Sequence, residues 1–386
     1  MRLKQETRSV LEQHHESLVD LSRRIHSTPE QGFEEEQACR WMAETLTSAG
    51  FAVETGAYGL PTALRARAGS GPLHVTICAE YDSLPGIGHA CGHNLIAAMS
   101  AGAAIAAARV ADDLGVTITL LGTPAEEVGD SGGKILMLER GAFDDAHAAM
   151  MVHPGPFDWI APRIIASSTF DVEYIGKESH AAAFPELGIN AADAITVAQT
   201  AIGLLRQHLP STDRVHGIVT HGGDAPNVVP GRTGARYVIR AETLDGLATL
   251  RPKIHRCFEA GALATGCTLS IEGGTRPYAH MAHDPALAGI YERNAVQLGR
   301  TLPQSGVMIE RFAASTDMGN VSLRVPSIHP IISIDSLPAV NHQPEFAAHC
   351  VTPAAEKALF DGALAMAWTI TDLATDSAQR ERLMGR

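Results

Sequence analysis

Three short apolar segments recur along the first part of the chain: LHVTICAEY (73–81), VTITLLGTP (116–124) and HAAMMVH (147–153). Each has the length of a strand, and the stretches between them, 93–111 and 131–140, are patterned as helices. This alternation limits the possible folds more than any other feature. FAVET (51–55) and PTALRARA (61–68) add two predicted strands. Helices are predicted over 5–25, where Val10, Leu11, Leu18, Leu21 and Ile25 recur at helical intervals, and over 34–49, which Gly50 stops. Strands alternating with helices predict an α/β sheet with helices on both faces.

The pattern changes near residue 167. STFDVEYIG (168–176) alternates like a half-exposed strand. A helix (190–208), strands at 215–221 and 233–242, a helix (244–264) and a strand (267–272) come next. That βαββαβ order predicts a small ferredoxin-like domain. After GGTRPYAH (273–280) come a helix (284–298), the strand SIHPIISI (327–334) and a last helix (353–374). A length of 386 residues suits two domains. The expected arrangement is a first domain built from 1–167 and 278–386, with a second, 168–277, inserted into it.

A net charge of −13 argues against a nucleic-acid partner, which requires a basic face, but leaves a small anionic substrate open. No apolar run reaches the ~18 residues of a membrane span. The longest, LIAAMSAGAAIAAARV (95–110), is read as a tightly packed core helix. The first residues show no apolar secretory core, and the six cysteines (39, 78, 91, 257, 267, 350) show no disulfide-framework spacing. A reducing cytoplasm is the expected location.

The chemistry concentrates at the ends of the predicted strands. GIGHACGHNLIAA (86–98) sets Cys91 between His89 and His93, after a strand and opening a helix. A Cys-x-His pair so placed can put a thiolate and an imidazole on one metal. The same spacing also serves a buried cysteine beside a capping histidine. In TPAEEVGDSGG (123–133), Glu126 and Glu127 come directly after a strand. Paired carboxylates there can divide metal binding from proton transfer, or simply favour a helix start through its dipole. GDSGG (129–133) matches a serine-protease loop, but those enzymes are all-β, and GDSGGKI lacks the spacing of a phosphate loop. His153 ends HAAMMVH, and His342 in PAVNHQPEF lies past another strand. Cys91, His93, Glu127, His153 and His342 thus converge on one sheet edge, as a metal site requires.

These segments resemble the co-catalytic metallopeptidase and amidohydrolase family of aminoacylase and carboxypeptidase G. The closer likeness is to its branch of hippurate hydrolases, auxin-conjugate hydrolases, aminobenzoyl-glutamate hydrolase and aminoacylase-like dipeptidases. The segments that carry it are IHSTPEQGFEE (25–35), AEYDSLPGIGHACGHN (79–94), GTPAEE (122–127), GKESHAAAFPELGINAADA (176–194), APNVVPG (225–231), STDMGNVS (315–322) and AVNHQPEF (339–346).

The resemblance implies a catalytic domain with a central mixed sheet flanked by helices, and an inserted ferredoxin-like dimerisation or lid domain. It implies metal ligands at Cys91, His93, Glu127, His153 and His342, for one or two divalent ions per subunit: zinc or manganese, with cobalt or nickel also compatible. It makes Glu126 the general base, His180 the oxyanion donor and Asp82 the residue orienting the site. Asn227 and Arg240 become contacts to the substrate carboxylate. The implied reaction is hydrolysis of an N-acyl amino acid or dipeptide with a free carboxylate. The alternatives are an aminohydrolase acting on another C–N bond and a silent ligand-binding member, the latter disfavoured because Glu126 is present. The implied assembly is a homodimer through the inserted domain, in which His180 can serve the neighbouring subunit. The helix 190–208 carries apolar residues at helical spacing (Ala194, Val197, Ala198, Ala201, Leu204, Leu205) for such a contact or for its own sheet. Three positions depart from the family pattern. Glu80 stands where the wider family has a ligand histidine, Cys91 takes the place of a bridging aspartate, and Asn94 replaces a frequent aspartate.

Overall fold

The computed structural model describes residues 2–302 and 312–385, which divide into two compact units. One comprises the described parts of Met1–Val128, Gly132–Arg163 and Met281–Arg386; the other comprises Gly129–Ser131 and Ile164–His280. In chain order the strands are β1 (Ala52–Thr55), β2 (Leu64–Ala68), β3 (Leu73–Ala79), β4 (Val116–Gly122), β5 (Ala148–Met150) and β6 (His153–Gly155). They continue with β7 (Ala166–Ile175), β8 (Arg214–His221), β9 (Arg232–Ala241), β10 (Thr268–Gly273), β11 (Ser327–Ile328) and β12 (Ile331–Ser333).

In the first unit a mixed sheet runs β1-β2-β4-β3-β5-β11. β3, β4, β5 and β11 are parallel, while β1 and β2 are antiparallel additions at one edge. β3 and β4 are almost wholly buried, as the central strands of a sheet covered on both faces must be. The small-residue helix His93–Ala108 is buried on every side from His93 to Ala107. It packs against the helices Arg2–Ser27 and Pro353–Thr375. At Gly102 a Cβ would stand 2.9 Å from Leu18 Cδ1 and 3.0 Å from Leu11 Cδ1, so glycine permits that close approach. Leu11, Leu18, Leu21 and Ile25 form the buried stripe of the first helix. Each such side chain contributes roughly 1.5–3 kcal/mol by leaving water.

Two predicted strands are divided in the structure. HAAMMVH pairs as β5 only to Met150, and His153 instead opens β6, which pairs with β12. SIHPIISI divides at Pro330 into β11, beside β5, and β12, beside β6. Proline has no N–H for a ladder, and the carbonyl of Pro330 accepts the N–H of His153 at 2.9 Å. The divided path places His153 beyond the C-terminal edge of the parallel strands.

The second unit has the order βαββαβ and an antiparallel sheet β10-β7-β9-β8. Helices Ala191–Leu205 and Leu244–Thr265 cover one face and are N-capped by Asn190 and Thr243. Ala194, Ala198 and Ile202 of the first helix pack inward, while Leu204 is exposed. Residues 164–167 belong with this unit because Ser167 exchanges backbone hydrogen bonds with Tyr278. Gly129 joins it through its N–H to the Tyr278 hydroxyl, and Ser131 through its N–H to the Arg276 carbonyl.

Candidate metal centre

β3, β4 and β5 all stop at the same edge of the sheet, and the site is built on the residues just past each strand end. Beyond β3 the chain carries Glu80 and Asp82, then reaches Cys91 and His93. Gly92, between them, is left-handed at φ +78°, and a Cβ there would lie 2.4 Å from Pro154 Cγ. The glycine therefore lets the helix start fold tightly against the loop that carries His153.

His93 opens the helix with its ring wholly buried. Its Nδ1 stands 2.9 Å from Asp82 Oδ1, an arrangement that places the proton on Nδ1 and leaves Nε2 as an electron-pair donor. The other Asp82 oxygen accepts the backbone N–H of Glu127 at 2.8 Å. Asp82 thus ties the imidazole after β3 to the carboxylate after β4. Burial opposes protonation of His93, but the charge and hydrogen bond of Asp82 outweigh it and raise the proton affinity of the ring.

Cys91 Sγ lies 3.5 Å from His153 Nε2, and the Nδ1 of His153 faces the carbonyl of Pro154 at 2.8 Å. His153 Nε2 therefore also points inward as a donor of electrons. Burial pulls the pKa of His153 down to about 4. His342, held in a left-handed turn at φ +68°, hydrogen-bonds through its backbone N–H to the carbonyl of Ala90 at 2.8 Å. Its Nε2 stands 3.6 Å from Glu127 Oε1.

Among the described residues there are four groups of potential ligand atoms, each with its atoms within 4.8 Å of one another, including His93–Glu126–Glu127, and two of the four contain Cys91: Cys91–His93–His153 and Cys91–Glu127–His342. The sulfur is common to both, as a bridge between two ions would be. The donors fit a divalent cation. His93 Nε2 and Glu127 Oε1 are buried with no hydrogen-bond partner among the described residues. An unmet buried nitrogen and carboxylate oxygen facing a thiol form the N/O/S set that suits zinc or a related ion.

Glu126 is buried beside this cluster, its Oε2 4.0 Å from His93 Nε2. Burial, then the charges of Glu80 and Glu127, raise its proton affinity well above that of an ordinary carboxylate. Oxygens of Glu80, Glu126 and Asp317 lie within 4.8 Å of one another. Lys134 offsets them: its Nζ donates to Glu80 Oε1 at 2.5 Å and to Asp317 Oδ1 at 2.6 Å. Its backbone N–H donates to the other Asp317 oxygen at 2.8 Å. Burial opposes charge on Glu80, yet the Lys134 ammonium outweighs it and holds the Glu80 pKa at about 2. Sequence reasoning misses Lys134, which sits in the GDSGGKI stretch that matches no phosphate loop. The available signal was a lysine in the first turn of a short helix whose next four residues are apolar, GKILMLE.

The remaining expected residues belong to the second unit. His180 Nδ1 accepts the N–H groups of Ala182 and Ala183 at 3.2 and 3.1 Å, so its neutral ring carries the proton on Nε2 and presents a donor. Asn227 is brought to the same turn: its carbonyl accepts the N–H of Ala181 at 3.0 Å. Arg240 lies apart from them on β9, where its Nε donates to His216 Nε2 at 3.4 Å.

The model of peptidase family M20/M25/M40 matches residues 76–358. The chain is 38% identical to the Xaa-Arg dipeptidase of Mus musculus and 39% identical to that of Homo sapiens, in each case over 93% of this chain and 86% of the relative. It shares its fold with a Bacillus subtilis protein described as a dinuclear metal binding peptidase of the M20 family. That likeness has a TM-score of 0.68 at 19% identity and covers 93% of this chain and 99% of the other. The family expected from the motifs is the family found: the chain belongs to peptidase family M20/M25/M40.

Proposed function

We propose that this protein is a metal-dependent hydrolase that cleaves the amide bond of a dipeptide or N-acyl amino acid with a free carboxylate. The observation that carries this reading is the pair of ligand groups sharing Cys91, with the Glu126 carboxylate beside them. Cys91, His93 and His153 would hold one ion, and Cys91, Glu127 and His342 a second; the thiolate and imidazole donors favour zinc, and the Glu127 carboxylate is the donor that suits manganese. Such an ion supplies Lewis acidity, lowering the pKa of water toward ~7 and polarising the scissile carbonyl.

Glu126, a carboxylate whose proton affinity is raised by burial and by the charges of Glu80 and Glu127, takes the proton of the attacking water and returns it to the leaving nitrogen. Asp82 keeps His93 in the tautomer that frees Nε2. His180 presents its Nε2–H to the developing oxyanion. Asn227 and Arg240 contact the substrate carboxylate, Arg240 through paired hydrogen bonds from its guanidinium. The likeness to two relatives named Xaa-Arg dipeptidase makes a dipeptide ending in arginine the first substrate to test.

Two copies associate through the second unit, in which β8 is one of the two outer strands and exposes Ile218 and Val219. Six free, buried cysteines suit the reducing cytoplasm. Among the described residues no helix is long and apolar enough to cross a membrane.

The test is a panel of dipeptides and N-acyl amino acids, each assayed with manganese, zinc and cobalt, in wild type and Glu126→Gln. The expected result is hydrolysis that requires metal and falls ~10²–10⁴-fold in kcat in the variant, with metal retained. Normal turnover by metal-replete Glu126→Gln removes Glu126 as the base.

A further inference from the structure

The segment PEQGFEE (29–35) supplies nothing to the chemistry above, yet it braces two turns that do. Glu35 has no exposed surface. Its Oε1 accepts the backbone N–H of Ala125 at 2.7 Å, and its Oε2 accepts the hydroxyl of Thr62 at 2.7 Å. Ala125 is fully buried and stands at φ +57°. That left-handed conformation is strained for a residue with a Cβ. The next two residues are Glu126 and Glu127. Gly32 backs the same turn so closely that a Cβ on it would meet Ala125 Cβ at 2.9 Å and Val128 Cγ1 at 2.8 Å. The carbonyl of Glu30 accepts both the N–H and the hydroxyl of Ser83, at 2.8 and 2.9 Å, and so fixes the loop beside Asp82.

Stability alone does not account for a carboxyl at this position. Burial, aided by the charge of Asp82, pushes the Glu35 pKa up to about 7, so the fold carries a desolvation penalty there that an apolar side chain of similar size would avoid. The carboxyl provides an acceptor for one N–H, and that N–H belongs to the strained residue preceding the base.

We infer that Glu35 is a positioning residue: by holding the Ala125 N–H it keeps this turn left-handed and aims the Glu126 carboxylate. The inference rests on Glu126 as the base. Without the acceptor, Ala125 relaxes toward the right-handed region and its following peptide rotates. The base is then misdirected, and a misplacement of about 1 Å costs on the order of 10²-fold in rate.

Three variants are compared with wild type for kcat, KM and bound metal by elemental analysis. Glu35→Gln keeps an oxygen for the Ala125 N–H and an amide for the Thr62 hydroxyl, and should hold kcat within about threefold. Glu35→Leu fills the space without an acceptor. It should lower kcat about 10- to 100-fold while KM and metal content stay near wild type. Adding Ala125→Gly to Glu35→Leu removes the steric cost of the left-handed turn and should recover kcat about fivefold. Should Glu35→Leu fail to fold, Glu35→Met, which also offers the Ala125 N–H no strong acceptor but has an adaptable unbranched side chain, should lower kcat at constant KM. Unchanged kcat in the variant that folds overturns the inference, as does a fall that merely tracks lost metal. Glu126→Gln run in parallel separates the two readings. If it is inactive while Glu35→Leu turns over normally, only the positioning role fails. If it stays active, the base assignment fails and takes the positioning role with it.

Discussion

Cys91 Sγ lies 3.5 Å from His153 Nε2, and the same sulfur stands within 4.8 Å of the ligand atoms of Glu127 and His342. A thiolate so placed would contribute to both proposed ion positions, whereas His153 and His342 would each contribute to one. Cys91→Ser should therefore lose more metal than either His153→Ala or His342→Ala, and those two together should deplete both positions. Asp82→Asn, which weakens the partner of His93 without removing a ligand, should lower metal affinity about 10- to 100-fold. Metal-to-protein ratios after dialysis against graded chelator check these five variants. Equal retention of metal across them would show that the ions lie elsewhere.

Lys134 stands between Glu80 and Asp317, and all three side chains are without exposed surface. Lys134→Met should destabilise the fold by about 3–5 kcal/mol, because two carboxylates lose their buried counter-charge. Adding Glu80→Gln and Asp317→Asn should return much of that loss, since the penalty lies in the orphaned charges and not in the missing ammonium. Urea unfolding of the metal-free proteins measures both. A loss below about 1 kcal/mol in Lys134→Met would mean that water reaches the carboxylates.

Arg240 bears on specificity. Replacing the carboxylate of a good substrate by its amide should lower kcat/KM steeply in wild type but little in Arg240→Ala, because a guanidinium discriminates through paired hydrogen bonds to the charged group. A substrate pair assayed in both proteins decides this. Equal sensitivity in the two would remove Arg240 from the carboxylate site.

His180 presents its ring proton from an exposed turn of the second unit. If it serves the metal site of the other copy, mixing inactive Glu126→Ala with inactive His180→Ala under subunit exchange restores one intact site per mixed dimer. Random pairing makes about half the dimers mixed, so activity should approach about a quarter of wild type. A mixture that exchanges subunits and stays inactive would place His180 in its own chain's site.

Local patterns carried much of this protein. The alternation of buried strands and helices, the small-residue run after His93 and the βαββαβ order of the second unit all rest on short-range periodicity, which a sequence displays directly. Strand partners were not legible. HAAMMVH and SIHPIISI each read as one strand, but each divides where its halves find different neighbours, and only the assembled sheet sets those neighbours. The charges beneath the site were hidden for a related reason. Lys134 meets Glu80 across 54 positions and Asp317 across 183, and Glu35 reaches the N–H of Ala125 across 90. A charged residue in a sequence looks like a solvated one. Whether it is buried, and which partner offsets the cost of burying it, depends on chain segments that meet only when the sheet edge closes.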